Sequence, residues 1–352
     1  MKRPRIHVLY EHDVTGNPHG CAHIRLLRPL SHPVLGRHFD ICFGLDLPPE
    51  PVDLLIVERL WRADIGPEDV ERILAWCAEH TVPLVYMLDD DLLTLRSDEP
   101  WQIFPQTYHR LLVARLVRAA TLVVVATEEL ARRLAPLNGR LRVVPNHLDE
   151  RLYCPLPPNG RHGGIVRFGY MGTYTHLDDL LLVLPALRHV LTRHRREIEF
   201  EIVGVAADQG LAELFAGLPV RIVSPGDAFH YPDFVIWMQR HLRWDFAIAP
   251  LCDTHFNRAK SDLKFLDYGM LGIPGIFSRV PAYADTVRDE VDGFLVDNDT
   301  VSWQQALERL LGDASLRRRL GAAAKKRVMT ERTLTQGAAL WRAALGEALA
   351  RR

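Results

Sequence analysis

Short apolar runs rich in Val, Ile and Leu alternate along the chain with longer segments in which apolar residues recur every three or four positions. The short runs predict buried β-strands and the longer segments predict amphipathic helices, for example at 66–80, 108–120 and 177–194. Buried strands that alternate with helices indicate an α/β fold with two parallel, doubly wound, Rossmann-like sheets. The predicted strands are residues 5–10, 39–44, 53–58, 83–88, 121–127, 142–146, 166–172, 199–204, 220–224, 245–251, 274–278 and 293–297.

The segment LYCPLPPNGRHGG shows neither a buried-strand run nor a helical repeat of apolar residues. It separates two halves that each have their own set of strands. We therefore predict an N-terminal domain over 1–150, a linker over 151–164 and a C-terminal domain over 165–330. Residues 331–352 are predicted to form a helix that packs on the body of the protein. Because ligands bind at the carboxyl ends of parallel strands, two such domains are expected to face a shared cleft.

Composition narrows the choice of partners and compartment. Lys plus Arg (43) and Asp plus Glu (44) nearly cancel, which argues against nucleic acid as the main partner. The five cysteines are scattered and form no CxxC pair, so we expect a reducing cytoplasm and neither a disulfide framework nor a zinc site. No apolar run is long enough for a signal peptide or a membrane span. A basic helix at 108–120 favours either peripheral contact with an anionic membrane or a solvated surface.

The stretch RFGYMGTYTHLDDL, at 167–180, runs from a strand through Gly172 and Thr173 into a helix that Thr175 or Asp178 could cap. Such a turn suits a phosphate, since the backbone approaches closely at glycine and a helix start offers free N–H groups. A plain strand-to-helix turn has the same pattern, and the dinucleotide glycine fingerprint is missing.

The stretch RAKSDLKFLDYGMLGIPGIFS, at 258–278, also contains a predicted helix start that suits a phosphate, and it carries more charged residues. Ser261 or Asp262 is expected to cap a helix that runs to about Leu271 and ends at Gly272. Cations just ahead of a helix start add to its positive end, so an anion there would be stabilising. The alternative is a solvated helix face with ion pairs. The predicted ligands of a diphosphate are Arg258, Lys260, Lys264 and the backbone N–H groups near Ser261, Asp262 and Leu263.

Acidic and polar residues follow two strands of the first half. Asp89, Asp90 and Asp91 end the fourth strand, where they could bind a divalent metal with a diphosphate, cap a loop or bind acceptor hydroxyls. The segment after the first strand, EHDVTGNPHGCAHIRLLRPLSH, fits no compact zinc motif. It is predicted to be a flexible loop facing the cleft, with Gly20, His23 and Arg25 as acceptor-side residues.

Four segments in order, VVPNHLD, GYMGTYTHLDDL, SDLKFLDYGMLGIPGIFS and AYADTVRDEVDGFLVDND, resemble the donor-binding half of GT-B glycosyltransferases of family four, the group 1 glycosyltransferases. The resemblance covers 143–330 and is weaker before that. It implies metal-independent, retaining transfer of a sugar from a nucleotide-diphosphate donor to a hydroxyl group of a glycan, glycolipid or other acceptor. It further implies a role in cell-surface polysaccharide or glycolipid assembly, no other cofactor, and a location in the cytoplasm or peripherally at the inner face of the membrane.

The resemblance assigns a ribose-binding role to Asp267, where the family's second glutamate stands. The first glutamate position falls on Ala259, and the Arg and Lys that family members tend to carry after the glycine turn are missing here. For these reasons the sequence identifies no catalytic residue. A non-catalytic nucleotide-sugar-binding or scaffold subunit remains an alternative, as does a nucleotide-sugar epimerase.

Overall fold

A computed structural model describes residues 2–95, 107–154, 164–204 and 209–351. Residues 155–163 of the predicted linker, and residues 96–100 after the fourth strand, lie outside these ranges. The chain divides into two compact units, and each is described by itself. The first unit comprises Met1–Asp149, Ala259–Ser261 and Thr333–Arg352, and the second comprises Glu150–Arg258 and Asp262–Arg332.

The first unit is built around a parallel sheet of six strands. They are β1 (Arg5–Leu9), β2 (Asp40–Gly44), β3 (Leu54–Glu58), β4 (Leu84–Leu88), β5 (Leu122–Val125) and β6 (Leu141–Val143), in the order β2-β1-β3-β4-β5-β6. Successive side chains of a strand point to opposite faces, so a strand that is buried on both faces needs apolar residues at every position. In β3, Leu55 and Val57 enter the core on one face, and Leu54 and Ile56 enter the core on the other.

Helices pack against both faces of this sheet. They are α1 (Gly20–Ala22), α2 (Arg28–Leu30), α3 (Pro33–Gly36), α4 (Pro67–Glu79), α5 (Thr107–Ala119) and α6 (Glu128–Leu134). The start of α4 is set locally, because Pro67 occupies the first helical position, where a missing N–H costs nothing. Asp69 adds a cap by accepting a hydrogen bond from the Gly66 N–H at 2.9 Å.

The predicted loop after β1 is helical over residues 20–30. A π-helical segment, His23–Leu27, connects α1 to α2 without interruption. Ala22, Leu26 and Leu30 recur every four residues and are buried in the core. The expectation of a loop here is therefore wrong, because His23, Arg25 and Pro29 between these positions obscured the helical period in the sequence.

The second unit contains another parallel six-stranded sheet. Its strands are β7 (Val166–Met171), β8 (Ile198–Val203), β9 (Val220–Val223), β10 (Phe246–Ala249), β11 (Gly275–Ser278) and β12 (Phe294–Val296), in the order β12-β11-β10-β7-β8-β9. Phe168 of β7 stacks on Phe200 of β8 and on Phe246 of β10, with ring centroids 4.7 and 4.8 Å apart. Every predicted strand is present, and the predicted α/β class with two parallel sheets is confirmed.

Nine α-helices lie in the described part of the second unit. They are α7 (Leu177–Leu182), α8 (Leu184–Arg193), α9 (Gln209–Leu214), α10 (Asp233–His241), α11 (His255–Arg258), α12 (Leu263–Leu271), α13 (Pro281–Ala284), α14 (Thr300–Gly312) and α15 (Ala314–Glu331). Glycines allow α12 and α15 to approach closely. A Cβ atom on Gly321 would lie 2.2 Å from the Gly272 carbonyl oxygen, and one on Gly269 would lie 2.9 Å from Val328.

The last helix, α16 (Leu334–Leu349), belongs to the first unit. Its predicted apolar stripe, which includes Ala338, Trp341 and Leu345, is buried in the same core as Ile6 and Val8 of β1. No helix in the described segments is long and apolar enough to cross a bilayer.

Candidate functional site

The strand order of the second unit places its switch point between β7 and β10. The chain winds outward from β7 to β9 and then returns to β10 on the other side of β7. In sheets of this kind, ligands bind in the crevice at the carboxyl ends of the two strands that flank this reversal. Gly172 follows β7 directly, and the segment from Pro250 to Asp253 follows β10.

The turn after β7 is tightly packed. A Cβ atom on Gly172 would lie 2.9 Å from the Tyr170 hydroxyl, and one on Gly204 would lie 2.9 Å from the Gly172 carbonyl oxygen. The neighbouring Thr173 is exposed, and its hydroxyl is 2.7 Å from that of Thr175. A side chain at Gly172 would therefore collide with Tyr170, while the predicted approach of this turn to a phosphate stays a prediction.

Asp179 ties this turn to the segment that follows β10. The side chain is buried, with one oxygen 2.7 Å from His176 Nδ1 and the other accepting the Cys252 N–H at 2.7 Å. Burial raises the pKa of Asp179, but these hydrogen bonds outweigh it and leave the pKa below its usual value. The helix after the turn starts at Leu177 without a side-chain cap, so the predicted capping by Thr175 or Asp178 is wrong. The sequence analysis missed Asp179, although a histidine three residues earlier was a usable signal.

Helix α12 ends at Gly272 with a φ of 74°, as predicted, but its start differs from the prediction. Asp262 stands at the N-cap, yet its carboxylate accepts two hydrogen bonds from Arg332, at 2.6 and 2.9 Å, and one from Thr286. Neither Asp262 nor Ser261 caps the helix through its side chain. The first N–H groups of a helix have no i−4 carbonyl within the helix to bond to, which is why a helix start can bind an anion.

Lys264 brings α12 and the turn after β7 together. Its ammonium nitrogen lies 5.5 Å from the centroid of the Tyr170 ring, the same side chain that packs beneath Gly172. A cation over an aromatic face at this distance is attracted by the ring. Two stretches that were recognised separately in the sequence therefore converge on one side chain of β7.

Asp267 lies one turn of α12 beyond Lys264 and is half-buried. Burial raises the pKa of its carboxyl to about 7, against the opposing effects of the Lys264 charge and a hydrogen bond from Tyr153. Tyr153 was not recognised in the sequence, because it lies 114 residues before Asp267 and within the predicted linker.

The other predicted cations are ion-paired. Arg258 ends α11 and donates two hydrogen bonds to Asp253, at 2.6 and 2.8 Å. Lys260 is grouped with the first unit, where its ammonium nitrogen lies 3.6 Å from Asp90. Lys260 therefore lies ahead of α12. The spacing of four residues suggests a helix face shared with Lys264, and this expectation is wrong because the helix begins only at Leu263.

Ala259 and Ser261 also make their contacts in the first unit. Ala259 is fully buried in an apolar core, and its carbonyl oxygen accepts a hydrogen bond from Thr127 at 2.9 Å. Ser261 accepts one from Asn146 at 2.8 Å, and Asn146 in turn accepts one from Arg25. The position where the resemblance expects a sugar-binding glutamate is thus filled by a small apolar residue in a core.

The three consecutive aspartates after β4 have three different partners. Asp89 lies 3.6 Å from Arg59, Asp90 pairs with Lys260, and Asp91 is buried and accepts a hydrogen bond from Arg133 at 2.8 Å. Burial raises the pKa of Asp89. Within the described ranges, no group of three or more His, Cys, Asp or Glu side chains is arranged to hold a metal ion.

The acceptor-side residues predicted after β1 lie on the helical segment 20–30. Gly20 begins α1, and His23 begins the π-helical segment that also carries Arg25. Arg25 is only 2% exposed, and its Nη1 donates to Asn146 at 2.8 Å. Sequence reasoning missed two charged neighbours of this segment, because Glu58 was counted as the last residue of a buried strand and Arg59 directly follows it.

Comparison with known proteins gives one family. Residues 165–313 match the family model of the glycosyl transferases group 1. No curated protein sequence matches the chain.

Solved structures match over the whole chain. HepE from Anabaena, in complex with UDP and glucose, is 12% identical with a TM-score of 0.68, covering 98% of this chain and 100% of its own. Sucrose-phosphate synthase from Thermosynechococcus elongatus is 13% identical with a TM-score of 0.67, covering 100% of both chains. A glycosyltransferase from Rickettsia africae is 11% identical with a TM-score of 0.64, covering 99% of both.

At these identities the structural matches establish the fold, and the family model adds the sequence relationship. The resemblance that rested on VVPNHLD, GYMGTYTHLDDL and the segments after them is confirmed at the level of group 1, while the narrower assignment to family four stays a prediction. This protein has the GT-B fold, and its residues 165–313 match the family model of the glycosyl transferases group 1.

Proposed function

We propose that this protein is a retaining glycosyltransferase, which moves a sugar from a nucleotide-diphosphate donor to a hydroxyl group and needs no metal ion or other cofactor. The observation that carries the proposal is the meeting of Lys264 and the Gly172 turn on Tyr170, at the switch point of the second sheet. The family match spans this site. In a further crystal structure, HepE is in complex with UDP-glucose.

The chemical requirement of such a reaction is stabilisation of the departing diphosphate. In this proposal the Lys264 ammonium group, the Leu263 N–H and the backbone around Gly172 and Thr173 bind its oxygens. These groups are fixed before the reaction, since α12 is anchored by the Asp262 ion pair with Arg332. Negative charge that develops on the leaving group would meet donors that need no reorganisation.

Asp267 is proposed to bind the donor ribose. An ionised carboxylate accepts hydrogen bonds from two neighbouring hydroxyl groups, and Tyr153 and Lys264 favour the ionised form. Arg258 and Lys260 remain proposed diphosphate ligands, but each must exchange a carboxylate partner for phosphate to contribute.

We propose a glycan, glycolipid or other hydroxyl compound as the acceptor, in cell-surface polysaccharide or glycolipid assembly in the cytoplasm. Peripheral contact at the inner face of the membrane is part of this proposal, and α5 is its candidate surface. Leu111 is 69% exposed on α5, while Arg115 is paired with Glu71. Salt-sensitive co-sedimentation with anionic liposomes is the expected result, and its absence at low salt would contradict membrane contact.

The donor site is tested by measuring thermal stabilisation with UDP-, GDP-, dTDP- and CMP-sugars, because a ligand that binds the folded state raises the melting temperature. We expect one of these bases to stabilise the protein. Lys264→Gln should weaken that ligand about 10- to 100-fold, the usual loss for one hydrogen bond to a charged group. Lys326→Gln, an exposed lysine on α15, is the matched control and should bind like the wild type.

Product analysis with the stabilising donor separates the alternatives. Transfer to an acceptor with the anomeric configuration retained supports the proposal. Binding without turnover would indicate a non-catalytic subunit, and a changed sugar without an acceptor would indicate an epimerase. If no nucleotide sugar shifts the melting temperature, the donor site proposed here is wrong.

A further inference from the structure

A short segment at the carboxyl end of β10 is held by side chains from distant parts of the second unit. It consists of Leu251 and Cys252, which follow the last residue of the strand, Ala249, after one proline. Neither residue lies in a helix or a strand, and Leu251 is only 2% exposed. Buried backbone groups outside regular structure still need hydrogen-bond partners, because an unpaired N–H or C=O is costly. In this segment side chains supply them.

Leu251 closes a ring of three hydrogen bonds with two side chains. Its N–H donates to the Ser278 hydroxyl at 2.8 Å. That hydroxyl donates to Asn298 Oδ1 at 2.6 Å, and Asn298 Nδ2 donates to the Leu251 carbonyl oxygen at 2.9 Å. Ser278 is fully buried at the end of β11, and Asn298 lies two residues beyond β12. The ring therefore joins the carboxyl ends of three neighbouring strands.

Cys252 is held in the same way. Its N–H donates to Asp179 at 2.7 Å, and its carbonyl oxygen accepts a hydrogen bond from Asn257 Nδ2 at 3.0 Å. Four side chains thus bind the backbone of two consecutive residues. Three of these four side chains lie 27, 47 and 73 residues away along the chain. The conformation of this segment is therefore determined by tertiary contacts and not by its own sequence.

The turn after β4 shows that such support is not required at the end of a strand. There the Leu92 N–H donates to the Asp90 carbonyl oxygen at 2.9 Å, and the Thr94 N–H donates to that of Asp91 at 3.2 Å. The backbone of that turn is bonded locally. A buried polar network with all its partners present makes the surrounding structure rigid. The segment after β10 is thus held more firmly than a connection to α11 alone would need.

This segment is also connected to the proposed diphosphate site. Asp179 lies 2.7 Å from His176 Nδ1, and the His176 carbonyl oxygen accepts a hydrogen bond from the Tyr170 hydroxyl at 3.1 Å. Tyr170 in turn packs beneath Gly172 and the Lys264 ammonium group. The segment and the turn after β7 flank the switch point of the second sheet, where ligands of such sheets bind. A rigid segment at this place fixes the shape of one wall of the crevice.

We propose that Ser278 and Asn298 are positioning residues of the donor site, which fix the Leu251–Cys252 segment as one wall of the crevice before the donor binds. Both act through Leu251, to which each is hydrogen-bonded. This inference rests on the proposed function and adds to it two side chains outside the predicted site. A wall that is fixed in advance costs no ordering when the donor arrives, so removing its support should lower the affinity.

The first measurement uses the full chain without any ligand. Hydrogen exchange should be slow at the amides of Leu251 and Cys252, because both are hydrogen-bonded to side chains. Asn298→Ala and Ser278→Ala each remove one member of the ring. Each variant should accelerate exchange at the two amides about 10-fold, the usual effect of one lost hydrogen bond.

Asn138→Ala is the matched control. Asn138 is a buried amide of the first unit whose Nδ2 donates to the carbonyl oxygens of Val117 and Ala120, at 2.7 and 2.9 Å. Its removal should lower the melting temperature in the same way as Asn298→Ala. It should leave exchange at the segment after β10 unchanged, because it has no contact with that segment.

The second measurement is donor affinity, by calorimetry with UDP-glucose, GDP-mannose, dTDP-glucose and CMP-N-acetylneuraminate. For the probe that binds the wild type, Asn298→Ala and Ser278→Ala should raise the dissociation constant about 10-fold, and Asn138→Ala should not change it. In turnover with that donor, both variants of the ring should raise KM. A purely structural role would reduce the folded fraction, which lowers the apparent kcat and leaves KM unchanged.

Two results would overturn the inference: rapid exchange at Leu251 and Cys252 in the wild type, or ring variants that bind the donor as tightly as Asn138→Ala does. If Asn298→Ala does not fold, Asn298→Asp replaces it. Its carboxylate still accepts from the Ser278 hydroxyl but has no donor for the Leu251 carbonyl oxygen.

The two proposals fail in different ways. If the exchange results are as expected and no nucleotide sugar binds the wild type, the proposed function is wrong, while the support of the segment by Ser278 and Asn298 stands. If a nucleotide sugar binds and is turned over with the same KM by the wild type and by both ring variants, this inference alone is wrong.

Discussion

At the scale of single residues, Asp267 of α12 is a carboxyl group on which burial and neighbouring groups act in opposite directions. Its neighbours favour the charged form, because Lys264 is one turn away and Tyr153 donates a hydrogen bond. Burial acts in the opposite direction and more strongly, so its pKa rises to about 7. The charged form of this carboxyl group, which we propose binds the donor ribose, is therefore held at a cost to folding stability at neutral pH.

This cost predicts a pH dependence. The ordinary pKa of this carboxyl group is 3.8, and its pKa in folded Asp267 is about 7. Between these two pH values, folded Asp267 holds a proton that the unfolded chain has released. Its contribution to stability is therefore full at low pH and is lost as the pH rises to 7. Asp267→Asn should raise the free energy of unfolding at pH 8 by about 2 kcal/mol. This value is smaller than the full pKa shift would give, because the side chain is only half-buried and solvent screens its charge. The gain should shrink as the pH falls towards 5.

Urea denaturation at several pH values measures this effect. The matched control is Asp285→Asn, an exposed carboxylate in the same unit, which should change little at any pH. A difference between Asp267→Asn and wild type that is independent of pH would show that Asp267 does not titrate as described.

At the scale of elements, the start of α12 is held by a contact from the end of α15. Arg332 follows α15 and binds both oxygens of Asp262, and the side chains are 16% and 7% exposed. Asp262 does not cap α12 with its side chain, and this ion pair instead positions the helix start.

Breaking this ion pair should therefore destabilise the protein strongly. Arg332→Met should lower the free energy of unfolding by about 3 kcal/mol, because it leaves a buried carboxylate without its partner. Arg115→Met breaks a similarly shaped pair with Glu71 on the surface, with side chains 49% and 57% exposed, and should cost less than about 1 kcal/mol. Chemical denaturation measures both variants.

A double variant makes the test sharper. Adding Asp262→Asn to Arg332→Met should recover much of the loss, since no charge is then left unpaired. If the double variant is no more stable than Arg332→Met, the ion pair does not hold the start of α12.

At the scale of the whole molecule, neither unit is one continuous segment. The sheet of the first unit is formed by Met1–Asp149, and the same unit also contains α16, within Thr333–Arg352. Trp341 and Leu345 of α16 fill the same core as Leu26 and Leu30 of the helical segment after β1. The core on this face of the first sheet is therefore complete only when α16 has folded onto it.

We expect Trp341→Ala to destabilise the first unit by about 3–5 kcal/mol, as for other large aromatic side chains removed from a core. Hydrogen exchange should show the loss in β1 and β3 and leave the second sheet protected. Leu340→Ala, at a neighbouring residue that is 43% exposed, is the control and should change stability by less than about 0.5 kcal/mol. Equal loss of protection in both sheets would contradict this assignment.

The sequence alone determined the strands and the helices α4, α5, α12 and α16. These features depend on local rules, since buried strands need consecutive apolar residues and helices repeat every 3.6 residues. The end of α12 at Gly272 followed from the same local chemistry. The helical segment after β1 was missed because its apolar positions are separated by a histidine, arginines and a proline.

Only the tertiary structure decided which charges meet. Asp262 looked like a helix cap but pairs with Arg332, 70 residues later, and Lys264 reaches Tyr170 on another element. Glu58 looked like the last residue of a buried strand, yet it shares a cluster with groups from the ends of β1 and β4. Secondary structure depends on neighbouring residues, whereas a site in a parallel sheet forms where the ends of strands that are distant in sequence converge.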